Sequence, residues 1–182
     1  MADAAEPTNL SRLSAVMARL SAAGAVLVPL CVAAVFLYPF AGHAIGLDWN
    51  GVSAAKIGQT PFGFRLVAFL FALAPAGFTV WALASLHRLF RCYAHGEVFS
   101  HRALAMLNHV AVALFASVIV GFVMQAPITL LLSWHLGAGH RAISLGIGSH
   151  DVAQLFVAGT VLVIARVMAE ARRVADENES FV

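Results

Sequence analysis

The stretch ALAMLNHVAVALFASVIVGFVM, residues 103–124, contains no charged side chain and only three polar ones, Asn108, His109 and Ser117. A helix needs about 20 apolar residues to cross about 30 Å of hydrocarbon, and this run has that length. Three further runs share its character: AAGAVLVPLCVAAVFLYPF (22–40), LVAFLFALAPAGFTVWALA (66–84) and VAQLFVAGTVLVIARVM (152–168). None alternates apolar with polar residues as the strands of a membrane barrel do. Helices satisfy every backbone group without water, so the expected fold is all-α, a bundle of four transmembrane helices.

The expected spans cover about 22–40, 64–86, 102–126 and 150–168. They form one membrane domain, 21–182, behind a polar or amphipathic segment, 1–20. The fourth span is short unless Ser149 to Asp151 begin it and the helix continues beyond Arg166 into the tail, 169–182. MAEARRVADENE has the helix formers for that extension. Arg12 and Arg19 ahead of the first run resemble a signal peptide's start, but the run is long and a retained helix is expected. PITLLLSWHL, 127–136, either lies along the interface with Trp134 at headgroup depth or extends the third span.

Composition agrees with this reading. The chain is 61% apolar and 11% charged, with a mean hydropathy of +0.87, whereas soluble domains carry about 25% charge. A net charge of +2 and eleven scattered Lys and Arg residues give no dense basic face, which argues against direct nucleic-acid binding. Cys31 and Cys92 fall at different depths and form no disulfide framework. Nothing matches a nucleophile elbow, a phosphate-cradling loop or a metalloprotease motif; no catalytic residue is expected.

Positive residues cluster beside some span ends and not others. Arg12 and Arg19 precede the first span, Arg88, Arg91 and Arg102 flank the middle link, and Arg166, Arg172 and Arg173 follow the fourth. The opposite face has only Lys56, Arg65 and Arg141. The positive-inside rule therefore puts both termini and the link RLFRCYAHGEVFS, 88–100, in the cytoplasm. Within that link Ser100 is a helix N-cap, with Phe99 and Leu104 forming a hydrophobic staple. Gly96 permits the turn, and Arg88 and Arg91 reach the interface from the end of the second helix. The lipid bilayer is the first partner; a second copy of the chain, or a membrane or cytoplasmic protein, is the next.

Polar residues inside the spans are the candidates for function. Asn108 and His109 lie within the third, where a buried imidazole faces protein or water and serves either a helix contact or a transport path. Gln125 and Gln154 can sit at similar depth and help fix packing. Pro29 and Pro75 bend their helices. Small residues, Ala72 with Ala76 and Ala158 with Gly159, permit close helix approach. His43, Asp48, His135, His140, His150 and Asp151 include the ligand types for zinc or copper, without a tight ligand spacing. Only His109 is inside a span, so a bis-histidine haem lacks its second ligand. No cofactor or metal site is assigned.

In the tail, Arg172 and Asp176, and Arg173 and Glu177, are spaced for ion pairs worth about 0.2–0.5 kcal/mol each. The chain resembles a family of bacterial four-span integral membrane proteins of unknown function. Leu89, Phe90, Arg91, Gly96, Phe99 and Ser100 carry the likeness in the link; Glu170, Glu177, Asn178 and Val182 carry it at the end. After Ser100 the family often has an Asn and further arginines, where this chain has Ala103, Ala105, Asn108 and His109. The resemblance implies a location in the bacterial cytoplasmic (inner) membrane and supplies no activity. The expected function is a noncatalytic scaffold or regulator acting through link and tail. The alternatives are a solute or ion transporter component using Asn108 and His109, and a haem- or metal-binding membrane protein.

Overall fold

The computed structural model describes residues 9–38, 57–96, 100–134, 143 and 145–179. They form four helices: α1 (Asn9–Leu37), α2 (Phe62–Ala94), α3 (His101–Ser133) and α4 (Ser149–Glu179). Each contains a segment long and apolar enough to cross a membrane, and no strand occurs among the described residues. The fold is all-α, as the four apolar runs predict. Phe156 is 76% exposed, and Leu27, Leu30, Leu70, Ile119, Val163 and Val167 are also exposed. So large an apolar exterior suits hydrocarbon and not water.

The helices are longer than the runs that announce them. α2 and α3 each have 33 residues, about 50 Å of helix against about 30 Å of hydrocarbon. α1 begins at Asn9, so much of the polar lead is continuous with the first span. α4 runs through Arg166 to Glu179. α3 also passes through Pro127 to Ser133, so PITLLLS extends the third span instead of lying along the interface. Pro127 removes one helical hydrogen bond, yet Ile128 and Leu132, just beyond it, are buried against α1 and α2. Tertiary packing carries the helix past its proline.

Helices adjacent in sequence pack side by side: α1 on α2, α2 on α3, and α3 on α4. The main core joins Val32, Val35 and Phe36 of α1, Ala68, Ala72 and Ala76 of α2, and Ile128 and Leu132 of α3, with Ile57 beneath them. The turn before α2 seals this end. Thr60 Oγ1 donates to the carbonyl of Leu132 over 3.2 Å, one of the terminal carbonyls that α3 itself cannot satisfy. α4 joins lower down: Gln154, near its start, meets Ser117, halfway along α3. The last 16 residues of α3, about 24 Å, rise beyond that level.

At the other end, His87 Nδ1 lies 2.8 Å from the carbonyl of Ala18, tying α2 to α1. A carbonyl only accepts, so the imidazole proton is on Nδ1. His101 Nε2 is 3.9 Å from Asp176 Oδ2, bringing the start of α3 to the end of α4. The start of α1, the α2–α3 link and the end of α4 therefore share one end of the molecule, here the link end. Eight of the eleven cationic residues belong to the segments gathered there.

Ser100 caps α3 as its position predicts. It is extended, at φ −71° and ψ 150°, and Ala103 N donates to its Oγ over 3.1 Å. Gly96 has φ +82°, in the left-handed region that glycine tolerates. The staple's Phe99 lies outside the described residues, as does Glu97. Ser100→Ala is expected to cost about 1 kcal/mol, with Ser100→Asn restoring most of it. Equilibrium unfolding in detergent would check this, and equal loss in both variants would exclude a capping role.

Candidate functional site

The link end carries a polar cleft. The last turns of α2 and the first turns of α3 enclose a cleft of about 620 Å³ lined by Arg88, Arg91, Cys92, His95, Arg102 and Met106. His95 terminates α2: its backbone N–H donates to the carbonyls of Arg91 and Cys92, and its Nδ1 lies 2.6 Å from the Arg91 oxygen. Two bonds onto the last carbonyls hold this turn closed. The cap and the glycine turn thus set the three arginines around one opening.

Beside it, His101 and Leu104 of α3 face Ala169, Arg172, Arg173, Asp176 and Glu177 of α4 across a groove of about 460 Å³. Both expected tail pairs form. Arg172 Nε is 3.6 Å from Asp176 Oδ2, and Arg173 Nη1 is 3.2 Å from Glu177 Oε1. Arg173 also donates from Nε to Glu170 Oε2 over 3.1 Å. The Arg173 pairs are exposed and screened by water, so they add little to stability. Of Asn178 only the helical backbone is described; Phe181 and Val182 lie outside the described residues.

A second polar region lies between all four helices. A cavity of about 160 Å³ is bounded by Val28 and Val32 of α1, Pro75, Ala76 and Thr79 of α2, Ser117 and Gly121 of α3, and His150, Asp151 and Gln154 of α4. Its volume and polar lining suit several waters. Gln154 Nε2 donates to Ser117 Oγ over 2.6 Å, and Ser117 donates onward to the Leu114 carbonyl over 2.8 Å. Gln125 accepts from the N–H of Gly146 over 2.9 Å. The two glutamines bond at separate points and not to each other: Gln154 bridges α4 to α3, and Gln125 holds the chain entering α4.

Asn108 and His109 line neither this cavity nor the link cleft. The His109 ring is half-buried against Trp81 of α2, with centroids 5.9 Å apart and planes inclined by 38°. That contact lies between α2 and α3.

Ser117 is the residue that the sequence reading passed over. Its signal is visible: Ala113, Ser117, Gly121, Gln125, Thr129 and Ser133 recur every fourth residue and are all buried. This mostly small-residue seam lets a neighbouring backbone come close. Thr129 and Ser133 turn their hydroxyls back onto the carbonyls of Gln125 and Thr129, over 2.8 and 2.9 Å.

Asp151 is also committed to structure. Its Oδ2 accepts from the N–H of Gly148 over 2.9 Å, as the returning half of a capping box does. No cluster of three or more His, Cys, Asp or Glu side chains suited to a metal occurs among the described residues. His43, Asp48, His135 and His140 fall outside them.

Four membrane-length apolar helices, with lipid-like exteriors and polar residues gathered at one end, define a multi-pass membrane protein. The chain belongs to the family described as protein of unknown function (DUF2975), whose profile matches residues 21–182. No curated protein and no solved structure matches it.

Proposed function

We propose that this protein is a noncatalytic scaffold or regulator of the bacterial cytoplasmic (inner) membrane, and that its link and tail together receive a partner. The observation that carries this reading is the approach of His101 to Asp176. Two segments about 70 residues apart in sequence become one surface, with the groove between α3 and α4 at its centre. The gathering of Arg12, Arg19, Arg88, Arg91, Arg102, Arg166, Arg172 and Arg173 at this end supports a cytoplasmic orientation. The partner is a second copy of the chain or a membrane or cytoplasmic protein.

Photocrosslinkers placed in native membranes at His101, Leu104 and Ala169, which border the groove, test the proposal. A discrete adduct of reproducible mass is expected from these positions and not from Phe156, on the exposed apolar face. Absence of an adduct at all three positions, or identical products from Phe156, would count against a docking surface there.

A further inference from the structure

The link cleft has a charge arrangement unlike that of the tail beside it. Arg172 and Arg173 are neutralised by Asp176, Glu170 and Glu177. Among the described residues, Arg88, Arg91 and Arg102 have no carboxylate partner and no acidic side chain lines their cleft. Three guanidiniums around one opening repel one another, and an anion between them removes that cost. Guanidinium also presents a planar fork of donors that matches phosphate oxygens in pairs.

Shape and depth point to the same chemistry. At about 620 Å³ the cleft lies within the range of about 300–1,000 Å³ usual for small-molecule sites. Its lining is amphipathic: arginines and His95 supply the polar part, and Cys92 and Met106 the less polar part. α2 is about 20 Å longer than the hydrocarbon is thick, so its last turns reach headgroup level. The α3 N-terminus beside the cleft adds the positive end of a helix dipole.

We propose that Arg88, Arg91 and Arg102 form a binding site for a phosphate group, carried either by an anionic phospholipid headgroup or by a soluble phosphate compound. The site stands apart from the groove between α3 and α4, and a phosphate bound there does not require the protein partner proposed above.

The test uses the full chain in three settings: nanodiscs of neutral phosphatidylcholine, the same discs containing phosphatidylglycerol, and neutral discs with inorganic phosphate in the buffer. Thermal unfolding is followed in each for the wild type and for Arg88→Gln, Arg91→Gln, Arg102→Gln and Arg19→Gln. Arg19 is exposed on the α1 segment of the link end and lies outside the cleft, so its variant controls for loss of charge alone.

Phosphatidylglycerol is expected to raise the midpoint of the wild type, and each cleft variant to lose at least half of that rise while Arg19→Gln keeps it. That outcome assigns a lipid headgroup. The same pattern with inorganic phosphate assigns a soluble source. No rise with either probe, or an equal loss in Arg19→Gln, overturns the site. If a cleft variant fails to fold, phenylglyoxal labelling of the wild type decides: the bound probe must protect Arg88, Arg91 and Arg102 more than Arg19, and equal protection refutes the proposal.

Discussion

Phe36→Ala is expected to destabilise the protein by about 3 kcal/mol or more, the largest effect of any single truncation outside the charged end. Phe36 is fully buried in the cluster that joins α1 to Ala68 and Ala72 of α2 and to Ile128 and Leu132 of α3. Lipid tails are as apolar as this core, so the loss comes chiefly from packing contacts and from the cavity left behind. Reversible unfolding in mixed micelles measures it. Phe36→Leu retains much of the volume and should cost about 1 kcal/mol. Phe156→Ala removes the same ring from an exposed face and should stay within about 0.5 kcal/mol. Equal losses at Phe36 and Phe156 would mean that the α1–α2–α3 core is not packed as described.

That contrast between two phenylalanines shows what the sequence can and cannot disclose. Both lie in apolar runs, and hydropathy treats them alike because a membrane helix is apolar on every side. The existence of four helices follows from run length, and the N-cap from Ser100 with its flanking turn. Which face packs inward does not follow, because the usual polar-outside pattern is missing.

The useful signal is residue size, and it is partly legible. The alanine stripe of α2 and the four-residue repeat from Ala113 to Ser133 mark the buried faces. Helix ends are less legible where packing overrides local preference, as at Pro127. His109 shows the converse case: its rarity inside a span draws attention, while its environment, the Trp81 ring, depends on the register of two helices. The link cleft needs both register and turn geometry. Arg88, Arg91 and Arg102 read as interface residues in one dimension and become a common lining in three.

Ala72→Leu probes the α1–α2 register directly. Ala68, Ala72 and Ala76 follow one another at intervals of four, all buried, and share the core with Val32, Val35 and Phe36 of α1. A leucine at the centre of this stripe has to displace α1 or take a strained rotamer, at an expected cost of about 1–3 kcal/mol. Ala72→Gly adds no volume and should cost only about 0.5–1 kcal/mol through backbone entropy.

The effect should also be uneven along α1. Its other end is held by the bond between His87 and the Ala18 carbonyl, far from position 72. α1 is therefore expected to open as a lever, with amide exchange accelerating at 28–36 before it changes at 14–21. Hydrogen–deuterium exchange resolves the two segments. Uniform acceleration would mean that the His87 bond does not hold α1 independently, and unchanged exchange with unchanged stability would show that the two helices do not approach each other along the alanine stripe.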